Sequence, residues 1–184
     1  MISDDTLPCA YDVVAFWRDA GPERWFAKSD AFDAACIDRL AAAHQAAASG
    51  RLDHWADTAE GALALLVLLD QFPRNAWRQN PHMLATDGLA LAVARRAVEA
   101  GFDRQADALM RRFFYLPFMH SELLAEQERS VALNATQDAN TQRFAVLHRD
   151  IVARFGRFPH RNRMLGRTST PEEQKFLDEG GFAG

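Results

Sequence analysis

Asp70 is the first residue whose surroundings call for chemistry, because it closes Ala62–Leu69, the longest apolar run of the chain. A carboxylate there is opposed by lost hydration and by the negative end of the helix dipole. It needs a cation, either Arg74 four residues on or the Arg157 to Arg161 group. Such a pair can be purely structural as well as functional. Helical spacing puts positions 120, 124, 127 and 131 on one face, so His120 and Gln127 fall in register with Leu124 and Val131. A second apolar stripe, Phe144, Leu147, Ile151 and Phe155, carries His148 at its edge. A lone inward histidine is ordinarily a hydrogen-bonded core residue, but two of them with an inward glutamine and a stressed aspartate point to a shared polar pocket.

The expected pocket is built from Asp70, Arg74, His120, Gln127, His148, Arg157, His160 and Arg161, and its chemistry fits a small anionic ligand. If it also catalyses a reaction, His120 or His148 moves the proton, since imidazole titrates near neutrality, and Asp70 orients it. Other chemistries lack their residues. His120 and Glu122 are two apart rather than on one helical face, there is no HExxH, and no metal or other cofactor is expected. Ser121 is outside any GxSxG elbow, neither Cys9 nor Cys36 has a neighbouring histidine, and Gly156 and Gly166 do not form a phosphate loop.

Between Arg143 and Thr170, seven arginines face one acid, Asp150, and are interleaved with Phe144, Phe155 and Phe158. Bidentate contacts and stacking on this segment would suit RNA or another polyanion. A solvated basic face with internal ion pairs accounts for it equally well. The net charge of −4 argues against a general nucleic-acid coat.

These residues must be positioned by helices, because few stretches alternate with period two whereas helical spacing and caps recur. The 184 residues, 48% hydrophobic and 25% charged, are expected to form one all-α domain over 1–184, with a mobile arm at 1–9 and a mobile tail at 179–184. Helices are predicted over Tyr11 to Asp19, Asp30 to Ser49 with Asp30 as cap, and a central one opened by an Asp57 capping box and stopped at Phe72-Pro73. Further helices are predicted to Ala100, over Arg104 to Phe114 with a break at Pro117, over Ser121 to Ala135 and over Asn140 to Phe155. Thr170-Pro171-Glu172-Glu173 starts a last one running to Asp178. Phe72-Pro73-Arg74-Asn75 recurs, with one insertion, as Phe158-Pro159-His160-Arg161-Asn162, by coincidence or as a repeated helix-stop device. No secretory leader and no apolar run near the ~20 residues of a membrane helix are legible, and two unpaired cysteines fit a reducing cytoplasm.

The segments Leu69-Asp70-Gln71-Phe72-Pro73-Arg74-Asn75, Tyr115-Leu116-Pro117-Phe118-Met119-His120-Ser121-Glu122 and Arg154-Phe155-Gly156-Arg157-Phe158-Pro159-His160-Arg161-Asn162 carry a resemblance. The chain resembles a bacterial family of unknown function across about Val13 to Phe176. The resemblance implies a tetratricopeptide-repeat-like array of antiparallel helices and no particular reaction. A concave face of such an array would serve as a peptide-binding groove, the alternative to the anion pocket. Trp17, Trp25 or Phe26, if exposed, would seal a homodimer.

Overall fold

The computed structural model describes residues 7–183, so residues 1–6 of the expected arm and residue 184 of the expected tail lie outside it. The described residues are all-helical and fall into two compact units. The first comprises the chain up to Arg78 with His82–Pro117; the second comprises Gln79–Pro81 and the chain from Phe118 onward.

In the first unit, α1 (Ala10–Ala20) and α2 (Pro22–Trp25) are joined at Gly21. The apolar spacing of α1 turns Val13, Val14 and Trp17 inward. Trp17 and Trp25 stack at 6.3 Å, the indole nitrogen of Trp25 donates to the Trp17 carbonyl at 2.6 Å, and Phe113 meets both rings edge-on. Both tryptophans are therefore core residues rather than a dimer seal, and Phe26 alone of the three is exposed. In α3 (Asp30–Ala48) the cap is Ser29, whose hydroxyl accepts from the Phe32 amide, so Asp30 is the first helical residue instead.

The central helix α4 (Ala59–Leu66) is capped by Thr58 rather than Asp57, and it is buried all round from Gly61 onward. It does not stop at Phe72-Pro73. A π-helical turn, Val67–Gln71, carries it into α5 (Phe72–Ala76), where Pro73 sits in the first turn and brings no amide hydrogen to the ladder. Next come α6 (Asp87–Glu99) and α7 (Ala108–His120). Asp107 starts α7 by accepting from the Leu109 and Met110 amides, and the expected break at Pro117 is absent, since the helix runs through it to His120.

The second unit takes its frame from α8 (Leu124–Asn134) packed against α9 (Ala139–Phe155), followed by α10 (Pro171–Asp178). The start of α10 is as the sequence predicts: Thr170 and Glu173 form the reciprocal capping box. The faces of α8 and α9 are rotated from those expected. On α8 the buried residues are Gln127, Ser130 and Asn134, while Leu124 is exposed and His120 belongs to α7. On α9 they are Ala145, His148, Ile151 and Val152, which moves His148 from the edge to the buried side and leaves Leu147 exposed. No helix of the described residues is long and apolar enough to cross a membrane.

Candidate functional site

Asp70 and Arg74 lie in the first unit and the other six predicted site residues in the second. The Arg74 guanidinium grips Asp87 with both terminal nitrogens at 2.9 and 3.1 Å and sits 3.2 Å from the Asp70 carboxylate. Burial opposes this charge, but Asp70 and Asp87 raise the Arg74 pKa above the ordinary arginine value. The side-chain amide of Gln71 donates to the other Asp70 oxygen at 2.5 Å.

The same network satisfies the π turn. Pro73 would supply the amide for the Leu69 carbonyl in an α ladder, or for the Leu68 carbonyl in a π ladder, and it has none. Side chains take over. His44 Nδ1 lies 2.9 Å from the Leu68 carbonyl, the Thr86 hydroxyl donates to Leu69 at 2.6 Å, and Arg74 donates to Asp70 at 2.5 Å. Burial lowers the His44 pKa against the pull of that carbonyl, keeping the ring neutral. Nearby, Asn75 and Arg78 together hold Asp33, and the Asp33 carboxyl is lowered by them in spite of its burial.

In the second unit the loop after α9 brings imidazoles and an arginine together. The His148 ring packs against Phe158 at 5.4 Å and Phe182 at 4.6 Å; His160 packs against Phe158 at 5.5 Å and Phe182 at 5.2 Å. Above Phe158 lies the Arg161 guanidinium, 4.5 Å from the ring centroid. His148 Nδ1 pairs with the Phe144 carbonyl at 2.8 Å, which directs its Nε2 away from the helix backbone. His160 Nδ1 is buried with no hydrogen-bond partner among the described residues. Burial pushes both imidazoles down to about 4; at His148 the Phe144 carbonyl opposes it while His120, Arg161 and His160 add to it, and at His160 Arg161 adds to it while the charge of Glu122 opposes it. His120, His148, His160, Arg161 and the Glu122 carboxylate thus belong to one electrostatic neighbourhood.

The remaining predicted residues have other duties. Gln127 is wholly buried, and its amide nitrogen reaches the carbonyls of Phe118, Met119 and Ser121 at the end of α7 at 3.4, 2.7 and 2.5 Å. Arg157 forms a bidentate pair with Glu173 at 2.6 and 2.8 Å. That pair, together with the Thr170 amide and Asn162, overcomes burial and draws Glu173 down to about 2. The arginine segment is largely neutralised. Arg149 pairs with Asp150, Arg154 with Glu172, Arg157 with Glu173 and Arg167 with Glu122, so ion pairs claim much of the charge offered to a polyanion.

Sequence reasoning missed Glu122, which accepts from the Phe158 amide and from Arg167, both at 2.9 Å, and so anchors the loop bearing His160. Burial resists the Glu122 charge, but these partners lower its pKa. It also missed Phe182, distant in sequence from both histidines it touches. Cys36 is buried and its thiol is pushed up to about 12, which makes it inert as a nucleophile. Two open grooves of about 420 and 490 Å³ lie on α1 and α3 and share Phe16, Asp19 and Arg39. None of the predicted site residues lines them.

Residues 13–181 match the family model described as bacterial protein of unknown function (DUF924). A solved structure of a protein of unknown function from Agrobacterium tumefaciens is similar to the chain at 51% identity, with a TM-score of 0.91 over 93% of this chain and 97% of that one. No curated protein matches.

Proposed function

The chain belongs to the DUF924 family of bacterial proteins, and we propose that its second unit binds a small anion at His120, His148, His160 and Arg161. The observation carrying this reading is the buried, unpartnered Nδ1 of His160 beside the guanidinium of Arg161. A ring nitrogen withdrawn from water without a partner has an unmet hydrogen bond, which a ligand can supply. Arg161 supplies the charge and the open Nδ1 of His160 supplies a directional donor at no further electrostatic cost, while His148, whose Nδ1–H is given to the Phe144 carbonyl, lines the site with its ring.

Binding suits these groups better than proton transfer. A general acid or base works best with a pKa near the operating pH, and rings held at about 4 lie well below neutrality. Asp70 and Arg74, candidates on sequence grounds, are better understood as the lock on the π turn, because each is engaged by partners in its own unit.

Acetate is the simplest probe. Its titration into the protein, followed by the imidazole nuclear magnetic resonances, is expected to give saturable shifts at His148 and His160 that Arg161→Gln removes. Resonances that stay fixed, or that shift equally in R161Q, would overturn the reading.

A further inference from the structure

The aromatic surroundings of the imidazoles say more about what the anion carries. Phe182 reaches His148 and His160 edge-on, at interplanar angles of 62° and 82°, and also packs on the cluster formed by Ile151, Val152 and Phe158. One aromatic ring is therefore seated among two imidazoles and a phenyl ring, with Arg161 on the same phenyl ring. Edge-on packing of this kind suits any flat ring, not phenylalanine alone.

The chain delivers Phe182 by a tight turn after α10. The Gly180 amide donates to Leu177 and the Gly181 amide to Phe176, at 3.1 and 2.9 Å, and Gly180 has a φ of +83° that favours glycine. A Cβ on Gly181 would stand 2.5 Å from the Phe176 carbonyl oxygen and 2.6 Å from its ring, so the path requires glycine there as well. Among the described residues no backbone hydrogen bond holds Phe182 or Ala183. The ring itself is what fixes the end of this strap.

We infer that the anion bound at His148, His160 and Arg161 carries a flat aromatic ring, and that Phe182 holds the place of that ring until the ligand displaces it. The ligand class is an aromatic carboxylate or a similar planar anion: its charged group meets Arg161 and His160, and its ring takes the seat among His148, His160 and Phe158. This inference rests on the anion-site reading. The Gly180-Gly181 turn lets the strap lift without unwinding α10, because no helical hydrogen bond involves Phe182.

Benzoate and acetate separate the two ideas, since both carry the carboxylate and only benzoate the ring. In Phe182→Ala, benzoate is expected to bind about tenfold tighter than to the wild type, the seat no longer being contested, while acetate affinity changes less than about twofold. In the wild type, nuclear Overhauser contacts from the Phe182 ring to the two imidazoles are expected to disappear on saturation with benzoate and to survive acetate. F182L keeps an apolar side chain without the ring, and serves the same comparison should F182A fold poorly. Benzoate affinity that does not rise in either variant, or wild-type contacts that survive benzoate saturation, overturns the strap; acetate shifts at His160 would leave the anion site standing. Failure of both anions on all proteins removes the anion site and the strap with it.

Discussion

Phe72-Pro73-Arg74-Asn75 and Phe158-Pro159-His160-Arg161-Asn162 are built alike up to a point, and the point of departure separates a lock from a candidate site. In both, the phenylalanine is buried and the proline lies in the first turn of a short helical element. In both, the asparagine amide donates to a carboxylate that an arginine holds with two bonds: Asn75 to Asp33 with Arg78, Asn162 to Glu173 with Arg157. The recurrence is thus a shared device for tying a helical turn to a neighbouring element. The remaining arginines differ. Arg74 bridges Asp70 and Asp87, whereas Arg161 lies on the face of Phe158 and within the field of Glu122, next to the inserted His160, whose Nδ1 has no partner among the described residues. A polar residue amid apolar sequence signals function only when its own fold leaves it unsatisfied.

The largest expected effect tests the lock. Arg74→Met removes the cation between Asp70 and Asp87 and the donor to the Asp70 carbonyl, leaving buried charge uncompensated. Breaking one side of a buried pair costs about 3–5 kcal/mol. Equilibrium denaturation of R74M should show a loss in that range. A loss below about 1 kcal/mol would mean that the π turn stands without this network, and the contrast between the two regions would collapse.

Next in size is the response to acid. A histidine whose folded pKa is depressed binds fewer protons folded than unfolded between its two pKa values, so its contribution is complete above the unfolded value of 6.5 and is lost as pH falls toward 4. His148 and His160 both behave this way, and His44 acts in the same direction. His160→Asn should therefore reduce the loss of stability between pH 6.5 and 4 by roughly 2–3 kcal/mol relative to the wild type. The check is denaturant unfolding at a series of pH values. Parallel curves for the two proteins would show that His160 is not held neutral by the fold.

The shared half of the comparison gives smaller, matched effects. Asn75→Ala and Asn162→Ala each remove one donor to a carboxylate that retains its arginine, a loss of about 1–2 kcal/mol apiece. Thermal unfolding should place the two variants close together. A gap of more than about 2 kcal/mol between them would make the recurrence an accident of sequence.

Much of the helical frame was legible because its signals are local. Thr170, Pro171 and Glu173 set the start of α10, and Gly156, at a φ of 70°, ends α9. Pro73 and Pro117 misled because a proline reports only the amide it lacks. Whether the carbonyls left over can be satisfied depends on His44, 24 residues from Leu68, on Thr86, 17 from Leu69, and on the local shift to a π turn. The candidate site was legible in the same partial way. Imidazoles and arginines stood out by type, but Asp87, Glu122, Glu173 and Phe182 decide which are engaged, and each lies remote in sequence from what it touches. Helical spacing also misjudged α8, where the buried side is Gln127, Ser130 and Asn134 while Leu123 and Leu124 face outward.

The smallest expected change in stability carries the sharpest test. If His160 belongs to a site, its buried nitrogen gains nothing from the fold, and removing it should cost little. Replacing a polar group that lacks a partner by an apolar one of similar size is close to neutral, because no hydrogen bond is broken and a desolvation cost is relieved. His160→Leu should then lie within about 1 kcal/mol of the wild type while losing its response to acetate, as expected where a residue is kept at some expense to stability. A loss above about 2 kcal/mol would show that the ring's contacts with Phe158 and Phe182 are themselves the reason for the histidine. His160 would then be a structural residue, as Arg74 is, and the two motifs would differ in detail rather than in kind.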